Sequence, residues 1–254
     1  PGNIRELWRR RVHRIVEAIP EDERQRAQRS LELAAVLGQR VRSTEWEVVC
    51  QEADAPAPAG LLERVFKLGL ARQDPDGMRF VHSLLVDTLQ EMAGQADRLA
   101  RHHRHCAAML RAEYDTTDPE PQRAERLARH LEGAGAPREA IDPLSDAIER
   151  YFQLEEVAEI KRLQAVRADL LEGVDVHDDH PAVLRHRCDE AWRLRLEGDS
   201  RRALDRLQQL ETLLRELCQQ SSDYRPLLGR VLRGMSWAYK DTGNTADALE
   251  AARE

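Results

Sequence analysis

One short pattern occurs twice in the C-terminal half of this chain, at residues 191–204 and again at residues 236–249. Each copy has a tryptophan, five further residues, a glycine, an Asp or Asn, and an Ala-Leu pair that begins four positions later. This order describes a helix, a glycine stop, an N-cap residue and a second helix, which together form a helical hairpin. Repeated hairpins stack into a solenoid, because one hairpin cannot bury its apolar face alone. The pattern therefore predicts a helical scaffold, which is typical of partner binding and not of catalysis.

The composition is consistent with a helical protein. Charged residues make up 33% of the chain and aromatic residues only 4%, which favours helices with thin alanine- and leucine-rich cores. The net charge of −7 is spread along the sequence without a basic tail, so no general affinity for DNA or anionic membranes is expected. No run of about 18 apolar residues occurs, so we expect no membrane-spanning helix.

The four cysteines, Cys50, Cys106, Cys188 and Cys218, are far apart and form no CxxC pair. This spacing indicates reduced thiols in a cytoplasmic protein. The chain begins at Pro1 and ends in residues of helical type, so we expect it to be a piece of a longer protein.

The N-terminal half has a different organisation, in which short helices precede a β-hairpin. Residues 70–73 and 78–81 flank a proline-then-glycine turn at residues 74–77, and no other clear β signal is present. Three short helices followed by such a hairpin predict a winged helix. A helix from about Ser83 to Met92 and a long helix from about Gln95 to Tyr114 should follow.

The proline-rich, polar segment at residues 116–121 is the best candidate for a domain boundary. We therefore expect a winged-helix domain with flanking helices at residues 1–117 and helical repeats at residues 118–254. The predicted fold class is all-α, with one short β-hairpin and a C-terminal α-solenoid.

The repeats resemble tetratricopeptide repeats. In the last copy the apolar, glycine and alanine positions of that family are occupied by Leu232, Met235, Tyr239, Gly243 and Ala248. The two copies are 45 residues apart, whereas the family repeats at about 34 residues, so these are divergent repeats with long helices.

The first half resembles the segment that follows the ATPase core in bacterial STAND-type signalling NTPases, which include large ATP-binding transcriptional regulators. An ordered series carries this resemblance, at residues 31–38, 61–62, 69–70 and 79–89. In that family a winged helix follows the nucleotide-binding domain, and a tetratricopeptide-like sensor follows the winged helix. The resemblance implies that this chain is a regulatory and sensor segment, which binds a protein or peptide and transmits this event to a nucleotide-binding domain outside the chain.

The same resemblance implies one nucleotide contact, at His82. The family carries a histidine just after the wing that touches the β-phosphate of ADP, and His82 matches that position. An imidazole at a helix start suits an anion, although a histidine that caps its own helix is the alternative. The chain contains no GxxxxGK[ST] motif, so we expect no nucleotide hydrolysis and no cofactor in this chain itself, with ATP or ADP held by the parent protein.

A candidate partner site lies on the helix before Gly243. Trp237 falls beside the apolar stripe of that helix, and Arg230, Arg233 and Lys240 are its neighbours. In the repeat register this position faces the concave surface, where an aromatic side chain among cations can anchor a peptide and its acidic groups. The alternative is that Trp237 packs against a following repeat.

DNA binding is disfavoured by the helix that would enter the major groove, at residues 60–70. Its polar groups are only Glu63, Arg64 and Lys67, whereas a reading helix needs several base-contacting side chains. In the wing, the positive charges of Arg72 and Arg79 are balanced by the negative charges of Asp74 and Asp76. A DNA-binding transcriptional regulator is thus the less favoured alternative to the sensor. A stand-alone adaptor built on the repeats is another alternative.

Two groups of residues have the chemistry of metal ligands. His102, His103, His105 and Cys106 lie together on one helix, but interleaved arginines disfavour a cation. We therefore interpret them as a solvated basic face with Cys106 in the core. The second group, at residues 175–180, is interpreted as a solvated connector. No nucleophile–base grouping is apparent, so we predict neither catalytic residues nor a metal site.

Overall fold

A computed structural model describes residues 4–114 and 120–253 of the chain. The residue contacts divide the chain into two compact units, of which the first takes residues up to 119 together with Arg126–Ala136. The second takes Glu120–Glu125 and Pro137–Glu254. Most of the boundary segment predicted at residues 116–121, including the division between residues 117 and 118, lies outside the described residues.

The first unit combines helices with one small sheet. Its elements are α1 (Ile4–Glu17), α2 (Arg24–Leu37), β1 (Arg40–Arg42), α3 (Ser43–Glu52), α4 (Leu61–Lys67), β2 (Ala71–Asp74), β3 (Gly77–Phe80), α5 (Ser83–Gln95) and α6 (Leu99–Tyr114).

Helix α2 is the centre of this unit. Every residue from Leu31 to Leu37 is buried, because α2 packs against α1, α3, α5 and α6. An amphipathic surface helix would instead leave one face exposed. Helix α1 buries Trp8, Val12 and Ile15 at helical spacing and leaves its other face exposed.

The sheet contains one strand more than the sequence predicts. Strands β2 and β3 form the expected hairpin, and β1 pairs antiparallel with the other edge of β3, so that Val41 lies opposite Met78. The expected hairpin is therefore present, and the sequence missed the third strand. A Cβ atom on Gly77 would lie 2.2 Å from the Val41 carbonyl oxygen, so the close approach of β1 to β3 requires glycine at this position.

The helix expected from Gln95 to Tyr114 is also shorter than predicted. Helix α5 continues to Gln95, and α6 begins only at Leu99. Asp97 between them has a φ of +55°, a left-handed conformation that breaks the helix. The amide of Arg98 then bonds the Ala93 carbonyl, which closes the end of α5.

The second unit consists of stacked helical hairpins. Its helices are the start of α7 (Pro121–Gly133), followed by α8 (Pro137–Gln153), α9 (Val157–Gly173), α10 (Pro181–Leu196), α11 (Ser200–Gln220), α12 (Arg225–Asp241) and α13 (Thr245–Arg253).

Three hairpins follow one another, α8 with α9, α10 with α11, and α12 with α13. Neighbouring hairpins pack through α9 against α10 and through α11 against α12. At the α10–α11 corner Gly198 has a φ of +91°, and the Asp199 carboxylate accepts a hydrogen bond from the Arg202 amide. The predicted fold class is therefore confirmed: helices apart from one small sheet, with a C-terminal array of hairpins. In the described part of the chain, no helix has the length and apolarity needed to cross a membrane.

Candidate partner-binding groove

The first helices of the three hairpins, α8, α10 and α12, line a groove that contains two cavities. The first, of about 330 Å³, is here called the aromatic cavity, and its rings are those of Phe152, Trp192 and Trp237. The second, of about 440 Å³, is here called the basic cavity, and its arginines are Arg185, Arg230 and Arg233. Because Arg233 lines both cavities, they are adjacent parts of one surface.

The aromatic cavity is built on two tryptophans that contact each other. The ring centroids of Trp192 and Trp237 are 5.0 Å apart, and those of Phe152 and Trp192 are 5.8 Å apart in an edge-to-face arrangement. Trp192 is buried, whereas Trp237 is 39% exposed. Arg230 lies 4.2 Å from the Trp192 ring centroid and Arg195 lies 5.1 Å from that of Trp237. These cation–π contacts hold the rings in place.

A buried ionic network lies beneath the groove. Asp189 accepts a hydrogen bond of 2.7 Å from Arg230 and lies 2.8 Å from Arg167, and the side chains of Asp189 and Arg167 are fully buried. Arg230 also contacts the Glu149 carboxylate. The four side chains come from α8, α9, α10 and α12, so the network joins all three hairpins.

The burial of these charges affects the two arginines differently. Burial lowers the pKa of Arg167, although Asp189 opposes this effect. For Arg230 burial also acts against the charge, but Asp189 and Glu149 outweigh it and raise the pKa above its ordinary value. The guanidinium of Arg230 is therefore firmly held in its ion pairs.

The structure places the four predicted partner-binding residues in different surroundings. Trp237 and Arg233 line the aromatic cavity together. Arg233 is exposed and has no hydrogen-bond or ion-pair partner among the described residues. Arg230 lines the basic cavity but is mostly buried by its acidic partners. Lys240 is exposed and lines neither cavity.

Sequence reasoning missed the acidic side of this network. Asp189 lies next to Cys188, on the apolar stripe of α10, and Arg167 lies among the buried residues of α9. Such a network could have been recognised from a charged residue on an apolar stripe and an opposite charge on a neighbouring helix, because charged residues are rarely buried unless they are paired.

In the first unit, His82 immediately precedes α5. It is exposed and makes no side-chain capping bond to that helix, so the alternative expectation that it caps α5 is wrong. Its ring centroid lies 5.2 Å from that of Trp8 instead. The role of His82 in nucleotide binding stays a prediction.

The histidine-rich face of α6 was expected to be solvated, but part of it is buried. His102 is buried, and its Nε2 lies 3.0 Å from a carboxylate oxygen of Glu32, which also accepts two hydrogen bonds from Arg98. Although burial opposes the charge, the bonds from His102 and Arg98 lower the pKa of Glu32. Cys106 lies in the core, as predicted.

His103, the next residue on that helix, pairs with another histidine. Its Nδ1 lies 3.1 Å from Nδ1 of His130 on α7. Burial, aided by the charge of Arg129, lowers the pKa of His103 to about 4 and that of His130 to about 2. Among the described residues, no three His, Cys, Asp or Glu side chains are grouped to hold a metal ion.

The acidic and histidine-containing loop at residues 175–180 is largely exposed, in agreement with its interpretation as a connector. Its last residue, His180, accepts a hydrogen bond of 3.2 Å at Nδ1 from the Ala182 amide and so caps α10. Asp178 lies 2.6 Å from Arg187.

Part of the positive charge that a winged helix would offer to DNA is compensated by carboxylates. Helix α4 has seven residues and buries Leu61 and Val65. In the sheet Arg40 lies 2.8 Å and Arg79 lies 3.5 Å from the Asp74 carboxylate. These pairs reduce the positive potential that phosphate binding requires.

Comparisons with known proteins give likenesses only among solved structures. The chain matches no protein-family model and no curated protein sequence. A putative kinesin light chain with tetratricopeptide-like repeats from Podosopora anserina is similar at 15% identity and a TM-score of 0.34, over 65% of this chain and 89% of that chain. A STAND protein with a tetratricopeptide repeat sensor from Pyrococcus horikoshii is similar at 14% identity and a TM-score of 0.32, over 94% of this chain and 44% of that chain. With TM-scores below 0.5, these likenesses support no conclusion about what the chain binds.

Proposed function

We propose that the second unit is a partner-binding sensor, and that the chain is the regulatory portion of a STAND-type signalling NTPase. The observation that carries the sensor role is that one groove contains an exposed Trp237 and an Arg233 with no ion-pair partner among the described residues. Large aromatic side chains and arginines supply most of the binding energy in protein interfaces. Here both lie on α12, which the neighbouring hairpin holds in place, and the partner is a protein or peptide.

The first unit has the element order of a winged helix: a helix, a short strand, two helices and a hairpin. In this proposal it docks on a nucleotide-binding domain outside the chain. His82 lies at the start of the thirteen-residue helix α5, and its exposed ring makes no capping hydrogen bond to that helix. This position is suitable for one contact to a phosphate of bound ADP. The sequence has no phosphate loop, so the parent protein must supply the other nucleotide contacts.

A cytoplasmic location belongs to the same proposal. Four free thiols, of which Cys50, Cys106 and Cys188 are buried, are compatible with a reducing compartment. The chain acts as a switch in this view: partner binding in the groove changes how the first unit docks, and His82 couples docking to ADP. The chain itself carries out no chemistry.

The test of this function uses the parent protein with its nucleotide-binding domain. His82→Ala should weaken ADP binding by about tenfold or more, which corresponds to the loss of one charge-assisted contact. His13→Ala is the matched control, because His13 is an exposed histidine on α1 whose ring bonds only Glu17 among the contacts described for it. Equal ADP affinity in the two variants would favour a stand-alone adaptor, and a parent without a phosphate loop would rule out the switch.

A further inference from the structure

A separate cavity lies in the first unit, between helices α3 and α4. It has a volume of about 420 Å³, and it is here called the acidic cavity. Small-ligand sites span about 300–1,000 Å³, so this volume is large enough for one long side chain. Trp46 and Leu62 contribute apolar surface, and Pro56 and Pro58 of the segment between the helices form one wall. Because proline rings fix the backbone angle φ, this wall needs little ordering when a ligand binds.

The polar side chains that line the acidic cavity are two carboxylates and one amide. Glu47 lies on α3, Glu63 lies on α4, and Gln51 is the amide. All three are exposed, and none has a side-chain hydrogen-bond or ion-pair partner in the described part of the chain. No arginine, lysine or histidine is among the described residues that line the cavity. Two like charges therefore face one cavity without compensation, and a cation would relieve their repulsion.

The other groups at this cavity do not offset the negative charge. Burial raises the pKa of Cys50 to about 12, so its thiol adds no charge. The C-terminal half of α3 and the first turn of α4 meet at the cavity, so the negative end of one helix dipole lies beside the positive end of the other. These partial charges oppose each other, and the two carboxylates therefore determine the sign of the potential.

A long side chain with a cationic end suits both the apolar and the acidic part of the cavity. Its stem can lie along Pro56 and Leu62 while its charged end reaches the carboxylates. A guanidinium has five N–H donors in a planar fork, enough for both carboxylates and the Gln51 amide oxygen, whereas an ammonium has three. Arginine is therefore favoured over lysine.

We propose that the acidic cavity is a second partner site, which binds an arginine side chain presented by a protein partner. Glu47 and Glu63 pair with the guanidinium, and the proline wall contacts the stem. This site shares no residue with the groove of the second unit and does not include His82. Its failure would therefore leave the proposed sensor function unaffected.

The test measures binding of three capped tripeptides to the chain by NMR spectroscopy. Each peptide has glycine at both ends, and its middle residue is arginine, lysine or citrulline, which has nearly the shape of arginine without the charge. The signals followed are the Trp46 indole N–H and the amides of Gln51 and Gly60, which line the cavity. The arginine peptide should bind more tightly than the lysine peptide and about tenfold more tightly than the citrulline peptide. Its affinity should fall as salt is added.

Two variants and a matched control locate the binding. Glu47→Gln and Glu63→Gln should each weaken the arginine peptide by about three- to fivefold, the loss expected for one exposed ion pair. Glu52→Gln removes the same charge from α3 outside the cavity, and it should leave the affinity unchanged. All three carboxylates are exposed and have no partner among the residues described, so every variant should keep the native thermal midpoint.

The remaining outcomes overturn the inference. Any other order of the three peptides does so, as does the absence of saturable shifts at the cavity. Equal weakening by Glu47→Gln and Glu52→Gln would show that the peptide is attracted only by the general negative charge of the surface. If analytical ultracentrifugation shows a dimer that Glu63→Gln dissociates, the occupant is a second copy of this chain and not another protein.

Discussion

At the scale of single residues, Gly234 of α12 lies directly against the indole of Trp192. A Cβ atom at Gly234 would be 2.3 Å from Trp192 Nε1 and 2.9 Å from its Cδ1. The indole is fixed by Trp237 on one side and by the guanidinium of Arg230, so it cannot move aside without breaking these contacts. The contact between the two tryptophans therefore depends on Gly234, which lies on the same helix as Trp237.

We expect Gly234→Ala to lower the free energy of unfolding by about 1–3 kcal/mol, because overpacking outweighs the gain in helix propensity. The control is Gly229→Ala on the same helix, where a Cβ would meet nothing within 4 Å. That variant should raise stability by about 0.5–1 kcal/mol. Urea unfolding measures both, and equal stabilisation by the two alanines would contradict the packing at Trp192.

The charge of Asp189 is also important for stability, because it is the counter-charge of both Arg167 and Arg230. Asp189→Asn leaves Arg167 buried without its counter-charge, so the free energy of unfolding should fall by about 3–5 kcal/mol. Asp178→Asn removes a carboxylate that is 90% exposed and also paired with an arginine, and it should change stability by less than about 0.5 kcal/mol. Similar losses in both variants, measured by urea unfolding, would show that Asp189 is not the centre of a buried network.

At the scale of elements, the contact between α6 and α7 depends on two histidines that are held uncharged. Their pKa values, about 4 for His103 and about 2 for His130, lie below the ordinary value of 6.5. Below pH 6.5 these histidines take up protons in the unfolded chain but not in the folded chain. Their contribution to stability is therefore complete above pH 6.5 and is lost as the pH falls, towards 4 for His103 and towards 2 for His130.

The expected result is a thermal midpoint that decreases from pH 7 to pH 5. This pH range lies above the lowered pKa of Glu32, so protonation of that carboxylate does not contribute to the decrease in the thermal midpoint. His105 and His186, whose pKa values are also lowered, contribute to the slope of the wild-type protein. His130→Gln should therefore flatten the slope without removing it, and an unchanged slope would contradict the role of the pair.

At the scale of the whole molecule, each compact unit has its own core. The core of the first unit centres on α2, and that of the second consists of the contacts between successive hairpins. We expect calorimetry to resolve two unfolding transitions, of which Asp189→Asn lowers only one. A single transition that moves as a whole would mean that the two cores unfold as one cooperative unit.

Features encoded in contiguous residues could be predicted from the sequence. The hairpins at α10–α11 and α12–α13 follow from the tryptophan–glycine pattern, and the β2–β3 hairpin follows from its turn residues. The partly exposed ring of Trp237 agrees with its place beside the apolar stripe of its helix. By contrast, β1 has three residues, too few for a period, and it is a strand only because β3 lies beside it.

The site shows the same division. The sequence alone determined which helix carries Trp237, Arg230, Arg233 and Lys240, because helical periodicity is a local property. Only the tertiary structure decided that Arg230 is held by Asp189, 41 positions away, while Arg233 stays without a partner among the described residues. In the same way, the buried His102 contacts Glu32, which is 70 positions away. Which charges meet depends on how helices pack, and no spacing within one helix encodes that.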